Sequence, residues 1–285
     1  MRTLLLFFLC FIGTSSYSQS TRRYVDQLSD SITPSRNVIY KEVGELSLRL
    51  NLFEPDTIPL NNNKRPCVIA FHGGGWSGGH PSMTYPILQE FAKRGWLAIS
   101  VEYRLLDASK NTGVVDCVKD AKSAIRFVKE HATELRIDSA IITLVGLSAG
   151  GHLAAGAILF DDADDPRDNC QISPVPANMI LYYPVLDTSP NGYGNKKIGN
   201  MWCKFSPLHQ VRESLPPTLI FHGMKDNVSP VEGILAFQRK MVAYGNSCDL
   251  ILHGEGNHGY FLYHKLLFDE VINQTFSYLT RVTNW

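Results

Sequence analysis

The sequence predicts an α/β fold, a mainly parallel central sheet flanked by helices. Three observations carry that prediction. Short apolar runs without polar alternation recur at Cys67–Phe71, Leu97–Val101, Ile141–Val145, Met179–Tyr183, Thr218–Phe221 and Leu250–Leu252; such runs suit strands covered on both faces. Helical patterns fall between them, and alternating strands and helices imply βαβ units. Glycine-rich turns follow several runs directly, at the carboxyl ends where open α/β sheets bind ligands.

The first residues read differently. Met1-Arg2-Thr3 carries a positive charge, Leu4 to Ile12 is apolar, and Gly13 to Ser20 is small and polar. Ser16 and Ser18 occupy the −3 and −1 positions of a cut before Gln19. This pattern predicts a signal peptide over residues 1–18 and an exported protein, periplasmic or secreted. The apolar run is too short to cross a bilayer core of about 30 Å, so no stable membrane insertion is expected after cleavage. Leu9 before Cys10 argues against lipidation, which wants a small residue there.

No Pro/Gly-rich linker divides residues 19–285, which are expected to form a single domain. Leu46, Leu48, Leu50 and Leu52 alternate with Ser47, Arg49 and Asn51, the pattern of a half-exposed strand at an antiparallel edge. Asn61-Asn62-Asn63 marks a turn. Tyr85 to Arg94 reads as a helix ending at Gly95. Val118, Ala121, Ile125 and Val128 share one helical face. Ile234, Phe237 and Met241 share another, closed by Gly245 just past the helix end. His264 to Thr280 forms the last helix. Asp187 to Pro207 reads as a loop-rich insertion containing Gly192, Gly194 and Gly199.

Lys and Arg together number 27, as do Asp and Glu, so the formal net charge is zero and no basic field points to nucleic acid or an anionic membrane. The densest acidic stretch, Asp161, Asp162, Asp164 and Asp165, reads as a solvated loop rather than a cation site. Export would leave five cysteines, Cys67, Cys117, Cys170, Cys203 and Cys248, in an oxidising compartment. Their spacing matches no zinc or disulfide framework. Cys67 and Cys117 read as core residues, and a Cys170–Cys203 bridge stays open because both lie in loops.

The chemistry concentrates in four motifs. Gly146-Leu147-Ser148-Ala149-Gly150-Gly151 follows the run Ile141–Val145 and precedes a small apolar helix. A serine between such glycines can occupy a sharp strand-to-helix turn that lifts its Oγ above the sheet. His72-Gly73-Gly74-Gly75-Trp76 follows Cys67–Phe71. Three consecutive glycines are costly in chain entropy, and a backbone that turns its N–H groups toward an oxyanion accounts for them. Gly74 and Gly75, with the N–H of Ala149, are the expected donors; His72 reads as a brace for the loop. A serine hydroxyl needs a base, itself oriented by an acid. In this strand order serine, acid and histidine follow one another along the chain. Asp226 lies just past Thr218–Phe221, and Asp187 is the rival acid. His258, between Gly256 and Gly259, is the expected base. His253 is its main rival, with His209, His222 and His264 behind it. Trp76 and Tyr183 are candidate walls of a substrate pocket, although core packing suits Tyr183 as well. No metal site is expected.

Together, HGGGW at 72–76, GLSAGG at 146–151, Asp226 within HGMKDNVSP and His258 within GNHGYF resemble the hormone-sensitive-lipase-like α/β-hydrolases. Val101-Glu102-Tyr103-Arg104-Leu105 and the helix expected over Asp120–Arg136 are more similar to the bacterial feruloyl and acetylxylan esterase (BD-FAE-like) branch. The resemblance spans about residues 40–280. It implies an α/β-hydrolase fold, a serine carboxylesterase without a cofactor, and Ser148, Asp226 and His258 as its triad. It further implies an acylated carbohydrate or other small ester as substrate, with acetyl or feruloyl as the acyl group. The short insertion and the short segment before the first strand depart from capped members and imply a small cap over an open site. The segment after Leu105 runs Leu106-Asp107-Ala108-Ser109 instead of the more usual proline-containing turn. The alternative of a serine exopeptidase on the same fold expects acidic residues placed for a peptide N-terminus and a large companion domain. A non-catalytic binding module usually lacks the serine or the histidine.

Overall fold

A computed structural model describes residues 22–56 and 64–283. The expected signal peptide and the Asn61-Asn62-Asn63 turn lie outside them. Eight strands form one sheet: β1 (Arg36–Val43), β2 (Leu46–Phe53), β3 (Arg65–Phe71), β4 (Leu97–Val101), β5 (Ile137–Leu147), β6 (Asn178–Tyr182), β7 (Thr218–Gly223) and β8 (Cys248–His253), in the spatial order β1-β2-β4-β3-β5-β6-β7-β8. β3 to β8 run parallel, and β2 is antiparallel to both β1 and β4. The six apolar runs are the six parallel strands.

The helices are α1 (Tyr24–Ser29), α2 (Tyr85–Ala92), α3 (Val114–Glu130), α4 (Ala149–Leu159), α5 (Asn195–Ile198), α6 (Pro207–Gln210), α7 (Val231–Ala243) and α8 (Lys265–Thr283). The strands feed two cores. In β3, Cys67, Ile69 and Phe71 pack toward α3, α4 and α7, where Ile125, Leu153 and Phe237 meet them. Val68 and Ala70 face the opposite layer, with Ile87 and Phe91 of α2 and Val271 and Ile272 of α8. Period-two alternation thus splits each central strand between two apolar faces, which is why its sequence reads as uninterrupted hydrophobicity.

Several expectations need correction. The edge strand is β1, and β2 lies second, between β1 and β4; Asn51 is consequently buried, its side chain donating to the Ser100 carbonyl at 3.3 Å. β1 escaped notice because its burial alternates only weakly and Lys41 interrupts its inward face. A helix, α1, precedes it. α3 stops at Glu130 instead of reaching Arg136: the chain turns through His131 to Arg136, where Arg136 takes φ 52° to enter β5. The Asp107–Thr112 bridge, with the Asp107 carboxylate accepting from the Ser109 N–H at 2.9 Å, supplies the turn that a proline would otherwise set.

The acidic stretch is only partly solvated. Asp165 is buried and receives Lys41 at 2.8 Å, while Asp164 and Asp168 receive Arg126 at 2.7 and 3.1 Å. Lys41 also reaches Asp120 at 2.8 Å, and Asp120 holds Arg104 in a two-pronged pair. Isolated buried charge is expensive, so the loop is tied to β1 and α3 through pairing. Cys170 and Cys203 are free and exposed, so the bridge left open between them does not form.

Candidate active site

β5 ends at Leu147 and α4 begins at Ala149, leaving Ser148 alone in the turn with φ 54° and ψ −117°. Left-handed backbone at a non-glycine residue costs about 1–3 kcal/mol and persists only where its surroundings impose it. Here they do: Ser148 N–H donates to Tyr182 O at 3.0 Å, and Ser148 O accepts from Val185 and Gly151 N–H at 3.0 and 2.9 Å. The flanking glycines are required by contact. A Cβ on Gly150 would stand 2.1 Å from the Phe71 carbonyl oxygen, and one on Gly146 would stand 2.5 Å from the Gly150 carbonyl. α4 is therefore seated directly on the ends of β3 and β5.

The second and third loops meet across the ends of β7 and β8. Met224 and Lys225 N–H donate to the carbonyls of His253 and Gly256, each at 2.9 Å. A Cβ on Gly223 would lie 2.2 Å from the Gly256 carbonyl oxygen, so the two loops close only because that position is glycine. Their closure brings Asp226 to His258: Nδ1 lies 2.7 Å from Asp226 Oδ2. His258 Nε2 in turn lies 2.8 Å from Ser148 Oγ. An ionised carboxylate only accepts, so Nδ1 carries the proton and Nε2 turns a lone pair toward the serine hydroxyl. Tyr183, itself at φ 38°, sets its ring edge-on to His258 at 4.7 Å.

Asp226 is buried and satisfied. Burial pushes its carboxyl pKa up, but the His258 hydrogen bond and charge, with the N–H groups of Ser229 and Val228, outweigh it and hold the value below the ordinary one. Those two N–H groups donate to Oδ1 at 2.9 Å each. Asp226 thus stays ionised beside the imidazole.

The glycine triplet faces the same space. Gly73, Gly74, Gly75, Ser148, Tyr183 and His258 line one cavity of about 310 Å³. Gly74 takes φ 116° and Gly75 φ 60°. Among the described residues neither Gly74 N–H nor Gly75 N–H donates to a protein acceptor, whereas the Gly74 carbonyl is engaged by Ser77 and Gly78 N–H at 3.3 and 3.0 Å. Ala149 opens α4, where first-turn N–H groups have no partner inside the helix. His72 is the brace the sequence suggests. Its Nδ1 lies 2.7 Å from the Gly73 carbonyl, and the Tyr103 hydroxyl donates to the His72 carbonyl at 2.8 Å while its ring stacks on the imidazole. Burial lowers the His72 pKa to about 4, so the ring is neutral.

Trp76 is not a wall of the cavity. It is fully buried and packs against the rings of His152 and Tyr193 at 5.0 and 5.6 Å; at φ 63° the chain turns its side chain under the loop. The rivals are engaged elsewhere. Asp187 caps its own turn through Ser189 N–H at 2.9 Å. His253 stacks on Tyr260, and His209 lies 2.8 Å from Ser206 Oγ. His222 Nε2 donates to the Ser229 carbonyl at 2.9 Å and stands 3.5 Å from Asp226 Oδ2, behind His258. His264 immediately precedes α8. Sequence reading missed Arg23, Met83, Tyr193, Val228, Leu262 and Tyr263, which with Gly259 complete the cavity. Val228, Leu262 and Tyr263 sit within five residues of Asp226 or His258 and could have been inferred from proximity. Arg23, Met83 and Tyr193 carry no local signal.

The BD-FAE family model matches residues 51–179. Among curated proteins, the chain is 29% identical over 185 residues to endo-1,4-beta-xylanase B of Butyrivibrio fibrisolvens, covering 61% of this chain and 29% of that one. It is 28% identical to esterase LipQ of Mycobacterium tuberculosis, covering 76% and 53% respectively. The chain thus spans about half the length of these curated relatives, or less. Among solved structures, the apo form of Thermogutta terrifontis esterase 2 shares 36% identity and superposes with a TM-score of 0.80, covering 87% of this chain and 94% of that one. Forms of that esterase with propionate and with butyrate bound superpose with the same score.

Proposed function

This chain belongs to the hormone-sensitive-lipase-like α/β-hydrolases, in their BD-FAE branch, and from that premise we propose that it hydrolyses carboxylic esters at Ser148. One observation carries the reading: a continuous hydrogen-bonded path from Asp226 through His258 to Ser148, opening on a cavity also lined by Gly74 and Gly75, whose N–H groups have no acceptor among the described residues.

In this reading His258 takes the hydroxyl proton as Ser148 Oγ attacks the ester carbonyl. Gly74, Gly75 and Ala149 N–H groups hold the resulting O⁻. His258 passes the proton to the leaving alcohol, and the tetrahedral species collapses to an acyl-enzyme. Water, deprotonated by the same imidazole, attacks the acyl carbon; the proton returns to Ser148 as the acid leaves. Asp226 remains ionised, fixes the tautomer and stabilises the imidazolium.

The substrate we propose is an acyl ester of a plant-type polysaccharide or its oligosaccharides, with acetyl or feruloyl as the acyl group. The match to a xylanase-named protein and to the BD-FAE model supports it. The propionate and butyrate bound to the Thermogutta esterase support short acyl groups. The signal-peptide-like pattern of residues 1–18 supports export, which N-terminal sequencing of the mature protein tests: Gln19 is the expected first residue. Parallel assays on acetylated xylan, feruloylated arabinoxylan and p-nitrophenyl acetate test the substrate. Faster cleavage of dipeptidyl amides than of aryl acetates would replace the esterase reading with a peptidase one.

A further inference from the structure

The oxyanion loop is held from two directions. Gly74 O accepts from Ser77 and Gly78 N–H within the loop's own turn. The described peptides are all trans, so the N–H of Gly75 points opposite to that carbonyl, away from the turn. The next peptide is held chiefly from outside the loop, since within it Ser77 Oγ reaches the Gly75 carbonyl only at 3.4 Å. Gly75 O accepts from Lys197 Nζ at 2.8 Å, and the same ammonium reaches Ser77 Oγ at 3.2 Å.

Lys197 belongs to α5, in the insertion between β6 and β7, and the insertion is fitted to the loop. A Cβ on Gly75 would stand 2.4 Å from the Tyr193 hydroxyl and 3.1 Å from Lys197 Nζ. A Cβ on Gly194 would stand 2.4 Å from the Trp76 ring. The Lys197 ammonium also lies 5.9 Å from the Trp76 ring centroid and 5.6 Å from that of Tyr193. Among the described residues Lys197 makes no ion pair with a carboxylate, so its charge is directed at the Gly75 peptide rather than neutralised.

We propose that Lys197 is a positioning residue for catalysis: by holding the Gly75 carbonyl it fixes the glycine whose N–H receives the oxyanion. Gly75, at φ 60°, has wide backbone freedom. Two pinned peptides, one on each side, remove that freedom before substrate arrives. The insertion is then a clamp on the oxyanion loop as well as a small cap. This inference rests on the esterase reading above.

The test compares the wild type with Lys197→Met and Lys197→Arg on p-nitrophenyl acetate, with melting temperatures recorded for each. Removing an oxyanion donor costs about 100- to 1000-fold, so loosening one should cost about tenfold. Lys197→Met should lose about tenfold in kcat with KM changed less than twofold, because the interaction lost acts in the transition state. A boronic acid inhibitor that mimics the tetrahedral species should weaken in parallel. Lys197→Arg, which restores a cationic donor, should recover most of the kcat; a purely structural contribution would follow melting temperature instead. A Lys197→Met kcat within twofold of wild type, or a raised KM at unchanged kcat, overturns the inference and leaves the esterase reading standing. A wild-type protein that cleaves no ester overturns both.

Discussion

His258 sets its Nε2 2.8 Å from Ser148 Oγ, although 110 positions separate the two residues in the chain. The first sits in the loop after β8 and the second in the turn after β5, with β6 and β7 between those strands in the sheet. Ser148→Ala should therefore lower ester hydrolysis by about 10,000-fold or more with the fold intact. The check is kcat on p-nitrophenyl acetate beside a far-ultraviolet circular dichroism spectrum; appreciable activity in a folded Ser148→Ala protein would assign the attack to another group.

Asp226→Asn tests the acid separately. An amide can keep the contact to His258 yet favours the wrong tautomer, and a loss of about 10,000-fold in kcat is expected. Asp187→Asn should leave kcat within about threefold of wild type, since the half-buried Asp187 is engaged with Ser189 rather than with His258 and substitutions away from the reacting groups are usually mild. Equal losses in the two variants would contradict the assignment of the acid.

Gly150→Ala should fail structurally rather than chemically. Its Cβ would meet the Phe71 carbonyl oxygen at 2.1 Å and the His72 carbonyl oxygen at 2.5 Å, both of them backbone atoms. Overpacking a well-filled site costs about 1–3 kcal/mol and occasionally more, and here neither partner can turn aside. Insoluble expression, or a melting temperature lowered by at least about 5 °C, is expected; a variant that melts with wild type would show that α4 can shift off β3.

Lys41→Met should destabilise by about 1–3 kcal/mol in urea titration, because Asp120 and Asp165 lose their shared cation while Asp120 keeps Arg104 and Asp165 keeps Arg167. A change below about 1 kcal/mol would mean that Arg104 and Arg167 suffice.

The same cluster makes stability depend on acid. The Asp165 carboxyl is held well below the usual carboxylate range, first by the Arg167 hydrogen bond and then, against burial, by Lys41. The folded value is lower than the unfolded one, so the stabilisation is complete above the unfolded pKa of about 3.9 and is lost as pH falls toward the folded value. Asp226, also lowered, acts in the same direction. Melting temperature should fall steeply below about pH 4, and Asp165→Asn should flatten that slope; an unchanged slope would remove Asp165 from the account.

Much of the architecture was legible along the chain because its causes are local. Six strands announced themselves through apolar runs, and Ser148, Asp226 and His258 each stood in a loop just past such a run. β1 was not legible: Lys41 occupies an inward position there only because Asp120 and Asp165 arrive from α3 and a distant loop. Trp76 was misplaced for a related reason. A tryptophan beside a glycine loop looks like a pocket wall, and only its φ of 63° and the contacts of His152 and Tyr193 send it under the loop.

By itself, the order of residues determined the α/β winding, the strained serine turn and the sequence of serine, acid and histidine, since each follows from hydrophobic period, glycine placement or chain order. Tertiary structure alone decided which histidine meets Ser148, that Lys197 reaches Gly75, and that Arg23 and Tyr193 line the cavity. These are contacts between segments far apart in the chain. No local pattern encodes them, because they depend on how loops from separate strands and from the segment before β1 pack together at the ends of the parallel strands.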